Sequence, residues 1–501
     1  MDLLISALRF LGIVFLVIMM FNIMIVVHEW GHFLAGRWRG LYIDRFQIWF
    51  GKPLWKKTIN GVQYGLGSIP AGGFVSLPQM APMESIEGKV EDEVERAEGE
   101  EAPPEIPKDL PPITPLDKII VAFAGPLFSF LLAVVFACIV WVVKKPVSEA
   151  VSSTTIGMVA PDSPADKAGI KPGDTITFVD GQVVERFQGM DKSIMWTVIS
   201  SDNQNIEVDL IRPGVGEMTV TVERPAEAQN QKIDGPWYQR TWAYLSERPA
   251  LRTIGVGPMI SPVVAKTMPN SPAKNAGLRK GDNITAINGT PVKSTVDVAA
   301  YGWEAGKEYE LDIDRNGKTV NASVIPRVPE INGDGPLVGI VWSREGVRSL
   351  VRENPIIQVV DSFNAIVKTL KAVFSPKSDV SAGHLSGPFG IMGLYYDLFQ
   401  DAEGWRLALW FSVLLNVNLA ILNLMPFPVL DGGHIVMASV EWISKRPIPF
   451  KVLEVVQTTF VLFLLGFMAF VTLKDVGDRI PKGDGEAPEL PEFLPLEKES
   501  A

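Results

Sequence analysis

Four long apolar runs without a charged residue constrain the fold of this chain most strongly. Residues 10–27 form an uncharged run of 18 residues and residues 119–143 one of 25, and two more cover residues 407–430 and 455–473. About 20 apolar residues in a helix cross the ~30 Å hydrocarbon core of a bilayer. No small-x-small cleavage pattern follows the first run, so we expect it to be retained. The sequence therefore predicts a multi-pass α-helical membrane protein with four transmembrane helices.

Composition indicates sizeable water-soluble parts beside these spans. Apolar residues make up 47% of the 501 residues, which is high for a soluble chain and low for a bundle of spans alone. The length predicts roughly three domains. The one cysteine, Cys138, lies inside an apolar run, so neither a disulfide framework nor a cysteine-based metal site is expected. No basic stripe indicates a nucleic-acid partner.

Positive charge in the short loops predicts the orientation of the spans. Residues 35–57 hold six lysines and arginines against one acidic residue, and Lys445, Arg446 and Lys451 follow the third run. Cytoplasmic loops carry such an excess, so we expect both segments on the cytoplasmic side. With four spans, both termini and the long segment between the second and third runs are then extracytoplasmic.

Residues 84–111 are expected to form a disordered cytoplasmic insert. This stretch has eleven acidic residues, three basic ones and four prolines. A segment of high net charge with few large apolar residues does not bury enough surface to fold. A solvated linker and a regulatory docking segment both fit this composition.

A metal-binding motif stands at the end of the first apolar run, where residues 28–32 are His-Glu-Trp-Gly-His. Two histidines four apart lie on one helical face, about 6 Å apart along the axis, so both imidazoles reach one metal ion. Glu29 is then placed to act as a general base on a water molecule rather than as a ligand. Ionisable groups at membrane depth are costly and typical of functional sites.

A catalytic zinc site has three protein ligands and an open position, so a third ligand is needed. Asp431 is the main candidate, because it follows Pro426 and Pro428 at the cytoplasmic end of the third run, on the same side as the histidines. The two prolines interrupt the helix, and the freed backbone groups need protein or a watery cavity around them. His434 is the alternative ligand, and ending the helix is the alternative role of Asp431.

The segment between the second and third runs contains an internal repeat. The pattern Ser-Pro-Ala, Ala-Gly, Gly-Asp and Asp-Gly that begins at Ser163 recurs 108 residues later from Ser271, with Asn-Gly in the last position. Each copy predicts a short helix, a strand and a hairpin turn, and two copies of this length indicate tandem domains. The pattern resembles the PDZ domain, which implies a sheet edge where an extended peptide adds as a strand. Peptide capture and simple exclusion of bulky substrates are the alternative roles.

Together these features resemble the site-2 protease family of intramembrane zinc metalloproteases. The resemblance rests on His-Glu-Trp-Gly-His in the first run, on Asn-x-x-Pro-x-Pro-x-Leu-Asp-Gly-Gly-His at residues 423–434, and on the paired PDZ-like repeats. It covers nearly the whole chain apart from the acidic insert and the C-terminal tail. It implies a Zn²⁺ ion bound by His28, His32 and Asp431, with Glu29 as the catalytic base.

The same resemblance implies a substrate-binding surface. A membrane re-entrant β-hairpin is expected at about residues 64–77, and its edge strand would pair with an unwound substrate segment. The residues expected at this surface are Gly72, Gly73, Phe74, Asn423, Pro426 and Pro428.

The expected architecture is a helical membrane protein with two inserted α+β PDZ-like domains outside the cytoplasm. In order, the predicted segments are residues 1–36 (first transmembrane helix with the histidine motif), 37–83 (cytoplasmic segment with the hairpin), 84–115 (acidic insert), 116–145 (second transmembrane helix), 146–250 and 251–343 (the PDZ-like domains), 344–404 (amphipathic linker), 405–433 (third transmembrane helix with the Asp431 motif), 434–454 (cytoplasmic loop), 455–474 (fourth transmembrane helix) and 475–501 (tail).

The expected function is cleavage of transmembrane segments of single-span proteins in the bacterial inner membrane, with the active site near the cytoplasmic face. The family implies an anti-sigma factor, already cut at a first site, and remnant signal peptides as substrates. Other expected partners are the lipid bilayer and, at the PDZ-like grooves, peptide C-termini. The alternatives are a non-catalytic PDZ membrane adaptor with a structural metal site and a metal transporter. A structural site closes with four ligands, and Glu29 favours the protease.

Overall fold

The computed structural model of the chain describes residues 2–80, 110, 112–201, 203–223, 236, 251–331, 334–375, 380, 384–446, 450–479 and 491–495. The chain divides into two compact units. The membrane unit comprises Met1–Lys145, Arg352–Ile366 and Ser386–Arg479, and the repeat unit comprises Pro146–Val351, Val367–Leu385 and Ile480–Ala501. The predicted disorder of residues 84–111 lies outside the described residues, apart from residue 110.

The helices and strands follow in this chain order. The first part of the membrane unit has α1 (Asp2–Trp38), β1 (Arg45–Phe50), β2 (Trp55–Ile59), β3 (Val62–Leu66), β4 (Ile69–Ser76) and α2 (Pro115–Val143). Next come β5 (Lys145–Ser148), α3 (Glu149–Ser152), β6 (Ile156–Val159), α4 (Pro164–Lys167), β7 (Thr175–Val179), β8 (Gln182–Val183), α5 (Ile194–Ser200), β9 (Asn205–Arg212), β10 (Gly216–Glu223) and β11 (Val256–Pro258). Then follow β12 (Val264–Thr267), α6 (Pro272–Asn275), β13 (Asn283–Ile287), β14 (Thr290–Pro291), α7 (Thr295–Ala300), β15 (Tyr309–Arg315), β16 (Lys318–Val324), β17 (Ile340–Trp342) and β18 (Arg348–Val351). The remaining helices are α8 (Pro355–Phe374), α9 (Pro388–Gln400), α10 (Gly404–Asn423), α11 (Asp431–Ser444) and α12 (Phe450–Arg479).

Four helices, α1, α2, α10 and α12, are long and apolar enough to cross a membrane, by length and composition. The first, second and fourth predicted apolar runs lie within α1, α2 and α12, and the third lies on α10 as far as Asn423. Helix α2 begins with a capping box, in which Thr114 and Asp117 each accept a hydrogen bond from the other's backbone N–H. Arg39, just beyond α1, donates to Asp117 at 2.6 Å. This contact joins the end of α1 to the start of α2.

The segment between α1 and α2 folds into one sheet with the strand order β2-β3-β1-β4. β3 runs parallel to β1, and β4 runs antiparallel to β1 on its other side. The predicted hairpin at about residues 64–77 is therefore wrong, because β1 separates β3 from β4. The short connection crosses the end of β1, where the N–H of Gly67 donates to Ile48 O at 2.8 Å. Among the described residues, β4 is therefore an edge strand.

The third span is shorter than predicted. Helix α10 ends at Asn423, and α11 begins at Asp431. The predictions of one helix over residues 405–433 and of a loop over residues 434–454 are therefore wrong. Pro426 and Pro428 have no N–H to continue the helix. A Cβ on Gly433 would lie 2.0 Å from Phe427 O, so glycine lets the start of α11 pack directly on the preceding turn.

The repeat unit contains two copies of one element order. Repeat 1 extends from β6 to β11 and repeat 2 from β12 to β17, and their four-stranded sheets have the orders β10-β9-β7-β8 and β14-β13-β15-β16. β11 pairs with β6, so the predicted domain boundary after residue 250 is wrong and repeat 1 extends to Pro258. The Asp-Gly and Asn-Gly turns have positive φ at both residues, as two-residue hairpin turns require.

Each repeat has its own apolar core, and each closes with the same buried ion pair. In repeat 1, Arg212 donates to both carboxylate oxygens of Asp174, at 2.8 and 2.7 Å. In repeat 2, Arg315 donates to both oxygens of Asp282, at 2.7 Å each. The backbone N–H of the residue three positions before each aspartate donates to it as well, at 2.8 Å. These pairs hold the turn after the short helix against the central hairpin.

Candidate metal centre

Three buried side chains from distant parts of the sequence meet in the membrane unit. His28 and His32 lie one turn apart in α1, and Asp431 is the first residue of α11. The two Nε2 atoms are 3.3 Å apart, and they lie 3.3 and 3.4 Å from the two oxygens of Asp431. Among the described residues, these side chains form the one cluster of histidine, cysteine or acidic groups suited to a metal ion.

These separations match a tetrahedral zinc site. Zinc bonds of about 2.0–2.1 Å at the tetrahedral angle place neighbouring ligand atoms about 3.3–3.4 Å apart. Two imidazoles and one carboxylate are also a donor set that zinc accepts. With three protein donors, the fourth position is left to water or substrate, which is typical of catalytic rather than structural zinc.

Helix α2 orients both imidazoles. Ser129 Oγ lies 3.0 Å from Nδ1 of His28, and the carbonyl oxygen of Val121 lies 2.8 Å from Nδ1 of His32. An Nδ1–H donated to Val121 O directs the lone pair of Nε2 of His32 towards the shared metal position. Neither Ser129 nor Val121 was identified from the sequence.

Two glycines allow α1 and α2 to approach closely enough for these contacts. A Cβ on Gly125 would lie 2.2 Å from His32 Nε2, and a Cβ on Gly31 would lie 2.4 Å from Ala124 O. Both positions therefore require glycine. The sequence contains a pattern from which this contact could have been predicted. Gly125-Pro126 and Ser129 interrupt a run of large apolar residues. Small and hydroxyl residues are typical of helix–helix contacts in membranes.

A cavity of about 250 Å³ opens beside the three donors. Its lining includes Glu29, Gly72, Gly73 and Asn423 as well as the donors, with apolar walls from α1, α2 and α10. Glu29 Cγ lies 3.5 Å from the position that a Cβ on Gly73 would take. Glu29 can therefore reach a water molecule in the cavity without occupying a ligand position.

The cavity also lies against the outer strand of the sheet. The outer edge of β4 pairs with no strand in the described part of the chain. Gly72 has φ +72°, and a Cβ there would lie 1.9 Å from the ring of Phe50, so only glycine fits. An edge strand presents N–H and C=O groups to which an extended peptide can bind.

The predicted site residues separate into two groups. Seven of the ten line this cavity, and Phe74, Pro426 and Pro428 do not. Asn423 lies beside the donors, with Nδ2 3.5 Å from Nε2 of His28. Pro428 lines a second, apolar cavity of about 400 Å³ against α12. His434, the alternative ligand, is buried in α11 but lies outside the three-residue cluster.

Comparison with known proteins assigns the family. The family model described as peptidase family M50 matches residues 16–467, which include the part of α1 that carries the two histidines, the sheet, both repeats and α11. The chain belongs to peptidase family M50. The resemblance to site-2 proteases predicted from the motifs is confirmed, and the chain is a protease of this type.

Two relatives match nearly the whole of this chain over nearly the whole of their own length. The Escherichia coli K12 protein named Regulator of sigma-E protease RseP is 28% identical over 485 residues, covering 90% of this chain and 95% of that protein. A Neisseria meningitidis serogroup A protein, provisionally named a zinc metalloprotease, is 28% identical over 477 residues, covering 91% and 96%. The solved PDZ domain of an SdrC-like protein from Listeria innocua is 26% identical, with 17% of this chain and 94% of that domain covered and a TM-score of 0.15.

Proposed function

We propose that this M50 peptidase is an intramembrane zinc metalloprotease that cleaves transmembrane segments of single-span membrane proteins. The observation that carries the proposal is the 3.3 Å spacing of the two Nε2 atoms, each of which also lies 3.3–3.4 Å from one oxygen of Asp431, beside Glu29 and an open cavity. Bound zinc, held by His28, His32 and Asp431, would supply Lewis-acid polarisation of the scissile carbonyl and of the attacking water.

Glu29 is proposed as the acid–base group. Its carboxylate takes a proton from the water that attacks the scissile carbonyl carbon. It then gives this proton to the departing amine nitrogen, so that one water is added across the peptide bond and the carboxylate is restored. Its place on the cavity wall, one residue from His28, supports this role.

The free edge of β4 is proposed to hold the substrate as an added strand. A transmembrane helix keeps its carbonyls in internal hydrogen bonds, so it must open before one of them can be attacked. The edge groups of β4 supply replacement partners, with Gly72 and Gly73 keeping side chains out of the way. The amide of Asn423 borders the donors and would donate to a substrate carbonyl. Phe74, Pro426 and Pro428, which lie outside the cavity, are proposed to position these groups.

The protein is proposed to lie in the bacterial inner membrane, with the active site near the cytoplasmic face and the termini and repeats outside. The basic residues after α1 and α11 support this orientation. A second support comes from residues 491–495, which follow the last span. Their bridge between Glu492 and Ile331 of repeat 2 supports placing the tail and repeat 2 on the same side of the membrane.

The repeats are proposed to be tandem PDZ-like domains that select substrates. In each repeat the last strand, β11 or β17, pairs with one other strand in the described chain, so each has an edge for peptide addition. Capture of a peptide C-terminus and exclusion of substrates with bulky outer domains both fit this arrangement. The proposed substrates are an anti-sigma factor after first-site cleavage and remnant signal peptides. The name of the Escherichia coli relative, Regulator of sigma-E protease RseP, supports the first of them.

Cleavage by purified protein in liposomes tests the function. The substrate is a tagged single-span protein without its outer domain, and zinc content is measured alongside. We expect the wild type to cut it and Glu29→Gln to retain zinc but to lose cleavage by roughly 10²–10⁴-fold, the usual contribution of a general base.

Glu403→Gln is the matched control for this experiment. It removes the same charge at the start of α10, about 30 Å along that helix from Asn423. This variant should cut like the wild type. Equal cleavage by Glu29→Gln and the wild type would show that Glu29 is not the base. Zinc-loaded wild type that cuts no membrane substrate would favour the adaptor.

A further inference from the structure

The C-terminal tail makes a specific contact with repeat 2. Residues 491–495 follow the last span after residues 480–490, and they form an antiparallel bridge in which Glu492 faces Ile331. The N–H of Glu492 donates to Ile331 O at 3.0 Å, and the N–H of Ile331 donates to Glu492 O at 3.3 Å. Both backbone groups of Glu492 are therefore bonded to repeat 2.

The Phe493 side chain fills a pocket in repeat 2. Only 3% of Phe493 is exposed, although both neighbouring residues are largely exposed. The guanidinium carbon of Arg327 lies 5.3 Å from the centre of the ring, which is within cation–π distance. A buried phenylalanine within a short exposed segment indicates that this side chain anchors the tail.

Polar groups around the pocket bind the backbone of the tail. Arg327 donates to Leu494 O at 2.8 Å and also to Asn270 O at 2.8 Å, while Asn270 Nδ2 donates to Phe493 O at 3.1 Å. The carboxylate of Glu330 accepts from the N–H of Leu494 at 2.8 Å. This last hydrogen bond lowers the pKa of Glu330 below its usual value. Three side chains of repeat 2 thus bind the backbone of Phe493 and Leu494.

The pocket lies at a glycine that has a counterpart in repeat 1, and among the described residues an aromatic ring lies against the glycine of repeat 2 but not against that of repeat 1. A Cβ on Gly339 would lie 2.3 Å from Ser271 Cβ and 2.7 Å from the ring of Phe493. At the matching Gly255 of repeat 1, a Cβ would meet Ser163 at 2.3 Å. Among the described residues, the next nearest to that Cβ position is Ala160, whose own Cβ would lie 3.6 Å away.

The pocket is separate from the strand edge expected to bind peptides. In the described chain, β17 pairs with β12 alone, so its other edge has no strand while the tail is bound. The tail instead contacts the loop before β17 and the turn before α6. Repeat 2 can therefore hold the tail and still present that edge.

We propose that repeat 2 carries a second peptide-docking pocket, formed by Asn270, Arg327, Glu330 and Gly339, whose ligand is the chain's own segment Glu492-Phe493-Leu494. Docking then joins repeat 2 to the end of α12 through the eleven residues 480–490 of the chain. The docked tail then limits the movement of repeat 2 and so helps to exclude substrates with folded outer domains. This consequence rests on the proposed protease function.

Disulfide cross-linking of the full-length protein tests the docking. Ile331→Cys and Glu492→Cys are combined with Cys138→Ser, since paired residues in an antiparallel bridge lie about 5.5 Å apart at Cα, within disulfide range. We expect an intramolecular cross-link under mild oxidation. Adding Phe493→Ala should reduce the docked-to-free ratio by roughly tenfold to a hundredfold, as for loss of one buried phenylalanine, and should slow the cross-linking.

Leu494→Ala is the matched control, because 48% of Leu494 is exposed and its contacts with Arg327 and Glu330 are made by its backbone. This variant should cross-link at nearly the parent rate. Equal cross-linking with and without Phe493→Ala overturns the pocket. A cross-link that joins two copies of the chain overturns the intramolecular assignment.

Cleavage of two forms of one substrate tests the consequence. Phe493→Ala should increase cleavage of the form that keeps its folded outer domain, relative to the trimmed form, and Leu494→Ala should not. An unchanged ratio in a variant that no longer cross-links overturns the exclusion role and leaves the docking pocket supported. Failure of the wild type to cut even the trimmed form overturns the protease function instead. The cross-linking result does not depend on cleavage, so it still shows whether the tail docks.

Discussion

Asp431 and Asp282 are both buried aspartates, with 7% and 1% of their surface exposed, but their partners differ in kind. The Asp282 carboxylate accepts from two guanidinium nitrogens of Arg315 and from the N–H of Arg279. The Asp431 carboxylate faces the Nε2 atoms of His28 and His32 and borders a cavity.

The difference shows that burial alone does not distinguish a functional carboxylate from a structural one. An arginine carries its charge and its five donors permanently, so the Asp282 pair is complete within the protein. Imidazole Nε2 can instead present a lone pair, so two histidines and a carboxylate converging on one point suit a shared cation. Asp174 and Arg212 repeat the Asp282 geometry in repeat 1, which supports a structural role for both pairs.

Exchanging each carboxylate for an amide should separate these roles. In Asp431→Asn we expect zinc to be lost and cleavage to fall by at least about 10³-fold, because a metal contributes several kcal/mol to such a reaction. Bound zinc is measured by mass spectrometry and cleavage in liposomes. Asp282→Asn, the control, should retain both. A zinc-loaded, active Asp431→Asn protein would instead favour His434 as the third ligand.

The second prediction concerns the stability of repeat 2. Asp282→Asn should lower the free energy of local unfolding of repeat 2 by roughly 3 kcal/mol, the low end for breaking a buried ion pair, because Arg315 remains partly solvated. Amide hydrogen exchange of the core strands β13 and β15 measures this in the full-length protein. Repeat 1 should be unchanged, and Asp174→Asn should reverse the pattern. Protection lost equally in both repeats would contradict the separate cores.

The third prediction concerns the orientation of the histidines. Ser129→Ala should weaken zinc binding about 10- to 100-fold, the usual effect of removing a group that orients a metal-ligating histidine. Competition with a chelator measures the affinity. Ser412→Ala is the control, because Ser412 is equally buried but is bonded to Tyr395. Equal zinc affinity in the two variants would show that Ser129 does not orient His28.

The smallest expected effect is the loss of repeat stability when the pH is lowered. Burial alone would raise the pKa of Asp282, but hydrogen bonds from Arg315 and from the N–H of Arg279 outweigh it and hold this pKa below the ordinary 3.8. The balance is the same at Asp174. The ion pair therefore stabilises the repeat fully at a pH above the pKa that the aspartate has in the unfolded chain, near 4. This stabilisation is lost as the pH falls through the lower pKa that the aspartate has in the folded protein.

Hydrogen exchange between pH 6 and 3 measures this loss in each repeat. In Asp282→Asn, the pH-dependent part should disappear from repeat 2 and persist in repeat 1. An identical acid response in the variant and the wild type would exclude Asp282 as its source.

The sheet and the third span show where prediction from the sequence ended. The edge character of β4 was expected, but the strand order was not, because Gly67 carries the chain across β1 instead of into a hairpin. Pro426 and Pro428 indicated a broken helix, yet a helical start at Asp431 depends on how closely Gly432 and Gly433 pack on the preceding turn. Strand order and helix restarts of this kind depend on contacts that no local pattern encodes.

The sequence by itself determined the four spans, the pairing of His28 and His32 with Glu29, and the two repeats. Each of these depends on local periodicity or fixed spacing along the chain, because the regular geometry of a helix or a hairpin then determines where the side chains lie. Only the tertiary structure decided the distances between the three donors, the contacts of Ser129 and Val121 with the imidazoles, and the pocket for Phe493. Apart from the pair His28 and His32, these contacts join residues that are about 90 to 400 positions apart, and they depend on how closely backbones approach, as at Gly125 and Gly339.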